Sequence, residues 1–311
     1  MSDIVAARLA ESIPAERTMK GAPLAPYTTF KVGGPADWLV LARGTAEVMS
    51  ALAVAREHGL PVTVLGGGSN VLVSDAGVRG LVIRLQGGDA AVAGDGLVRA
   101  DAGLTINGLV RWTINRGLSA LEAWAGTPGT VGGAVHGNAH FRGRLIGELV
   151  ASVEAIDASG HVLRIPAAQM EFGYDRSRLQ RTHEVLLSAD FRVTVGDPAA
   201  LRAVARESLA FRKRTQPLES ASAGCIFQNP DPSVDRVPEG IPPSAGALVD
   251  RAGLKGAREG SARVSKTHGN FIVNEGAASA ADIRRLIERC RAQVRTQFGV
   301  ELRDEIVYLG F

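Results

Sequence analysis

Val62-Thr63-Val64-Leu65-Gly66-Gly67-Gly68-Ser69-Asn70-Val71-Leu72-Val73 is the stretch on which the reading of this chain turns. Each apolar run reads as a short buried strand, and three successive glycines separate them. Glycine within a strand loses conformational entropy and packs nothing, so the triplet belongs to a sharp turn. Such a turn can aim several backbone N–H groups at one anion, and the diphosphate of a nucleotide is the anion to consider. The same residues also suit a plain strand-to-strand connection, and the motif alone leaves both readings open. A Rossmann fingerprint needs a helix directly after its glycines. Here a second strand-like run follows instead, which argues against that fold.

Working outward, Val48, Met49, Leu52, Val54 and Ala55 recur at helical spacing between Ala46 and His58, with Gly59 as the stop. Further strands are expected at 80–85, 98–102, 151–156, 161–165 and 185–195, and a helix at 104–116. A second glycine-rich stretch, Gly126-Thr127-Pro128-Gly129-Thr130-Val131-Gly132-Gly133-Ala134, reads as extended backbone of small residues. Composition shifts near residue 197, where Asp197 is placed to cap a basic helix over 199–215. Beyond it come a short strand at 225–228, a helix at 244–252, a strand at 271–273, a long amphipathic helix over about 279–297 and a final strand over 300–309. This is an α+β pattern. It divides into residues 1–196, in two lobes of about 1–86 and 87–196, and a C-terminal α/β domain over 197–311.

Composition narrows the function. With 45% hydrophobic and 22% charged residues, the 311-residue chain is an ordinary globular protein, neither disordered nor coiled coil. A net charge of +3 and 5% aromatics give no basis for nucleic-acid binding. No apolar run reaches the ~20 residues of a membrane span. The N-terminus does not read as a signal peptide. Cys225 and Cys290 lie far apart without metal or redox spacing, so no metal is expected and a reduced, cytoplasmic setting is the simplest.

Four stretches occur in order: Tyr27-Thr28-Thr29-Phe30-Lys31-Val32-Gly33-Gly34-Pro35-Ala36, the Gly66–Asn70 loop with its flanks, Gly126 to Ala139, and Ala223-Gly224-Cys225-Ile226-Phe227-Gln228-Asn229-Pro230. Together they closely resemble the UDP-N-acetylenolpyruvoylglucosamine reductases, the MurB family. The resemblance runs from about residue 20 to the end and suits the family's shorter second type. It implies a two-part FAD-binding region of the vanillyl-alcohol-oxidase type and a C-terminal substrate domain. The implied reaction is NADPH-dependent reduction of an enolpyruvyl ether on a UDP-sugar, in peptidoglycan precursor synthesis. FAD is expected non-covalently, with NADPH as co-substrate and a monomer as the working form.

The resemblance assigns residues to roles. Gly66, Gly67, Gly68, Ser69 and Asn70 would hold the FAD diphosphate through backbone donors. Gly129, Thr130, Gly132, Gly133 and Ala134 would let the flavin ring approach the backbone. Cys225 stands where the family has its proton-donating serine, and a thiol with an ordinary pKa near ~8.5 carries its proton at neutral pH. Glu305 matches the family's catalytic glutamate; on a strand it would share a face with Glu301 and Arg303. Tyr174, Lys213, Arg214 and Asn229 match substrate-binding positions. The family's catalytic arginine lies in Tyr-Arg-x-Ser, but this chain reads Tyr174-Asp175-Arg176-Ser177. Arg176 can serve only if an irregular turn turns Asp175 away; Arg178 is the substitute. A catalytically weak flavin or nucleotide-sugar binder and an oxidase of the same flavin fold are the alternatives.

Overall fold

A computed structural model describes residues 2–311; Met1, at the start of the expected N-terminal lobe, lies outside them. The chain forms two compact units, each gathered from separate stretches. The first comprises residues up to Ala22, Ala36–Gly67 and Arg79–Ala210; the second comprises Pro23–Pro35, Gly68–Val78 and Phe211–Phe311. Residues 197–210 group with the first unit.

The first unit is built on two larger sheets. One has the strand order Thr18–Pro23, Pro35–Ala42, Val78–Leu85, Val62–Leu65, with the last two parallel. The strand before the glycines is thus at a sheet edge, and Val62 and Val64 are exposed, contrary to the buried strand expected. The second sheet is antiparallel, in the order Val162–Pro166, Val150–Ile156, Val185–Arg192, Leu97–Asp101, Ala90–Gly94. Its central strand Val185–Arg192 is buried on both faces up to its last residue, which is why it reads as a nearly continuous apolar run. Helix Gly44–Glu57 buries Val48, Ala51, Val54 and Ala55, and Gly59 follows it in the left-handed conformation. Helix Ile106–Asn115 is capped by Thr105, whose hydroxyl accepts from the Gly108 N–H, and buries Ile106, Leu109, Val110, Thr113 and Ile114.

The second unit is built on helix Ala280–Phe298. Ser279 and Asp282 form a capping box at its start, and Gly299 ends it with φ of 69°. Its buried stripe of Ile283, Leu286, Ile287, Cys290 and Val294 belongs to a core with Phe30, Leu72, Phe227 and Leu248. Each such side chain, fully buried, contributes about 1.5–3 kcal/mol. Strands Arg258–Glu259, Ala262–Val264 and Ile272–Asn274 form an antiparallel sheet, and Val307–Leu309 pairs in parallel with Val71–Val73.

Three expectations are corrected. Residues 131–136 are a short helix, Val131–His136, and not extended backbone, because Thr130 caps it by accepting from the Gly133 N–H. Residues 225–228 form no strand but meet the C-terminal segment through a single bridge, Phe227 with Asp304. The final strand covers only Val307–Leu309, so Glu301, Arg303 and Glu305 do not share a strand face.

Candidate active site

In the first unit the two glycine stretches touch. A Cβ on Gly67 would lie 2.6 Å from the Gly129 Cα, and one on Gly66 would lie 2.6 Å from the Thr130 hydroxyl. Neither backbone nor capping hydroxyl has room to give. Within the second unit, Gly68 has φ of 64°, and a Cβ there would collide with the Tyr27 carbonyl. The Gly68 carbonyl accepts from the Thr29 N–H at 3.0 Å, which joins the first sequence motif to the second.

The donors of the two stretches differ. Among the described residues, the amides of Gly66, Gly67, Gly68, Ser69 and Asn70 donate to no protein acceptor. Those of Val131 and Gly132 donate to the carbonyls of Leu104 and Ala102 at 2.8 Å, and those of Gly133 and Ala134 to the hydroxyl and carbonyl of Thr130. Five unengaged N–H groups on a loop whose first three residues admit no side chain fit a diphosphate. The 131–134 amides are therefore already taken by protein acceptors.

A second feature of the first unit is the turn at 173–176. The Gly173 N–H and carbonyl both bond to Arg176, at 3.0 and 3.1 Å, and Asp175 sits at φ of 51°. This is the irregular turn that the Arg176 assignment requires. The segment after helix Val131–His136 holds it. Asn138 donates to the Gly173 carbonyl at 2.7 Å, and Ser177 Oγ donates to the His136 carbonyl at 2.6 Å. The Asp175 carboxylate, with 11% side-chain exposure, meets His140 Nδ1 at 3.0 Å. The Tyr174 ring packs on that imidazole with 4.7 Å between centroids. Nothing in the sequence singled out His140. The Arg176 guanidinium lies over Gly173, where a Cβ would be 3.3 Å from its Nε. Arg178, the substitute cation, is occupied: its guanidinium forks onto Glu184 at 3.0 and 2.7 Å and holds that carboxyl below its usual range.

In the second unit, residues 226–228 run beside 303–305. The Glu305 N–H donates to the Ile226 carbonyl and the Gln228 N–H to the Arg303 carbonyl, both at 2.8 Å. Cys225 and Glu305 are therefore carried by adjoining backbone. Asn70 Nδ2 donates to the Glu305 carbonyl at 3.0 Å, so the glycine loop's last residue is fastened to the same segment. The other acids of this segment have arginine partners: Asp304 with Arg291, and Glu301 with Arg295. Cys225 is half-buried, whereas Cys290 is buried in the core, where desolvation pushes its thiol up to about 12.

The remaining expected residues divide. Lys213 and Arg214 are exposed, while Arg212 is buried, and burial pulls its guanidinium down to about 10, still charged at neutral pH. Arg212 also lies within electrostatic reach of Cys225. The helical phase could have found it, because Leu201, Ala205, Ser208 and Arg212 are all buried at i, i+4, i+7 and i+11. Asn229 Oδ1 accepts from the Ala245 N–H at 3.1 Å, at the start of helix Ala245–Arg251.

Residues 36–166 match the family described as "FAD binding domain", so the class is that of FAD flavoproteins. Residues 216–309 match "UDP-N-acetylenolpyruvoylglucosamine reductase, C-terminal domain". The UDP-N-acetylenolpyruvoylglucosamine reductase of Heliobacterium modesticaldum is 39% identical over 94% of this chain and 90% of its own. That of Synechococcus sp. strain WH7803 is 40% identical over 93% and 92%. The crystal structure of the enzyme (MurB) from Thermus caldophilus superposes with a TM-score of 0.77 at 34% identity, covering 93% of this chain and 97% of that one. The chain belongs to the UDP-N-acetylenolpyruvoylglucosamine reductase family, and the expected two-part flavin-binding region with a C-terminal domain holds.

Proposed function

We propose that this protein is the NADPH-dependent flavoenzyme that reduces the enolpyruvyl ether of UDP-N-acetylglucosamine to the D-lactyl ether of UDP-N-acetylmuramate, a step of peptidoglycan precursor synthesis. FAD supplies the hydride chemistry when bound, charged by NADPH. The loop Gly66–Asn70 would hold its diphosphate through the amides that no protein group uses. The hydride adds to C3 of the enolpyruvyl group and a proton to C2, so a side chain must deliver that proton. Cys225 takes this role, with Glu305 beside it. One observation supports the pairing: the Glu305 N–H bonds to the carbonyl of Ile226, the residue after Cys225. Charge developing on the substrate carboxylate needs cations. Arg176, on its irregular turn, and the buried Arg212 answer that need, and Lys213 and Arg214 face the diphosphate from the solvent side of the helix. Tyr174 and Asn229 complete the substrate contacts. The proposed substrate domain begins near residue 197. UDP-sugar and NADPH are soluble metabolites, so the proposed location is the cytoplasm; a monomer is the proposed working form. No described helix is long and apolar enough to cross a membrane.

The two half-reactions test this by flavin colour under anaerobic conditions. In Cys225→Ala, NADPH should still bleach the flavin, while reoxidation by the enolpyruvyl substrate should slow by about 10²–10⁴. Cys225→Ser should restore it. Arg176→Ala should slow reoxidation by about 10²–10³, and Asp175→Ala should be mild. Normal turnover in Cys225→Ala would reduce the cysteine to packing. Rapid oxygen consumption without any need for NADPH would make the protein an oxidase.

A further inference from the structure

Helix Ile106–Asn115 and the first turns of helix Pro198–Thr215 border a cavity of about 500 Å3 in the first unit, whose lining includes none of the residues assigned above. Its floor is apolar and includes the buried Val110 and Ile114. Its rims carry three arginines, Arg111 on one helix and Arg202 and Arg206 on the other, and no acidic residue lines it. Among the described residues, none of the three has an ion-pair or hydrogen-bond partner. Glu207, the acid adjacent to Arg206 in sequence, is engaged by Arg142 at 3.2 Å. The Asn115 side-chain amide, also on the lining, makes no hydrogen bond among the described residues.

We propose that this groove binds a nucleoside diphosphate, as a site additional to the reductase chemistry. Arg202 and Arg206 stand one turn apart on one helix face, with about 5–6 Å between their Cβ atoms, so two planar forks can each take one phosphate. Arg111 adds a third charge from the opposite rim, against the roughly three negative charges of the ligand. The apolar floor receives the flat base, and the Asn115 amide offers a donor and an acceptor to its edge. A cleft of one sign over a low-dielectric floor focuses its field on an anion. The volume lies within the ~300–1,000 Å3 of small-molecule sites. A protein segment fits less well: two helical turns, about 11 Å long, give little of the ~800 Å2 per partner that a stable protein interface buries.

The experiment is calorimetric titration of the FAD-loaded enzyme with ADP at low salt, repeated with inorganic pyrophosphate and with a polyglutamate peptide. ADP should bind with micromolar affinity and pyrophosphate at least tenfold more weakly. The exposed pair Arg202→Glu with Arg206→Glu should lower ADP affinity at least tenfold and leave turnover in the absence of ADP within twofold. Arg111→Gln gives an independent reading, with an expected loss of about threefold or more. Equal ADP affinity in wild type and both variants would place the binding at the reductase site and overturn the proposal. So would the absence of heat at millimolar ADP, pyrophosphate binding as tight as ADP, or polyglutamate displacing ADP at equal concentration.

Discussion

The two glycine stretches of the first sequence motifs look alike and are used in opposite ways. In 66–70 the glycines leave the amides without protein acceptors; in 129–134 every amide from Val131 to Ala134 already has one. The first stretch lacks side chains so that Gly66 and Gly67 can lie against Thr130 and Gly129, and it keeps its amides open. The second starts a short helix at Thr130, whose cap and turn take up its amides. Consecutive glycines therefore signal crowding as readily as ligand binding, and the fate of the N–H groups separates the two.

Four substitutions can break or sharpen that contrast. The largest effect is expected from Gly67→Val. Its Cβ would lie 2.6 Å from the Gly129 Cα, backbone against backbone, and the branch adds to the crowding. The protein should purify colourless and fail to take up added FAD; a yellow Gly67→Val protein would mean that this loop does not hold the cofactor. Gly68→Ala should follow. At φ of 64° an L side chain costs about 1–2 kcal/mol, and the clash with Tyr27 adds to it, so both melting temperature and FAD affinity should fall. Thr130→Ala removes the cap of helix Val131–His136 and should cost about 1 kcal/mol in thermal unfolding of the apoprotein. Gly133→Ala is the smallest and most discriminating. Its Cβ meets only the Thr130 hydroxyl at 3.7 Å, and alanine favours the helix by about 0.5–1 kcal/mol. Apoprotein stability should stay level or rise. A simultaneous loss of FAD affinity would show that the ring lies against Gly133, and unchanged affinity would leave that glycine with packing alone.

Helical periodicity and end signals were legible along the chain. Helix Ala280–Phe298 lies one residue beyond the expected 279–297 at each end, and Asp197 accepts from the Ala200 N–H at the start of its helix, as expected of a cap. The four motifs carried the family, because short strings of glycine, asparagine and proline record local backbone demands that the sequence states directly. The failures lie where distant segments decide. Residues 300–306 alternate like a strand, yet the backbone of 303–305 bonds to 226–228 in one irregular bridge, and only Val307–Leu309 completes a ladder.

What the sequence determined by itself is the family, the flavin class and the order of elements, since these rest on local propensity and on motif spacing. The tertiary structure alone decided which donors remain open, that Asp175 turns to His140 on a left-handed residue, and that Arg178 is occupied by Glu184. It also placed Arg212, and not Lys213 or Arg214, inside the protein near Cys225. The physical reason is common to all of these. A side chain's charge is written in the sequence, but its burial and its partner are set by whichever segments fold against it.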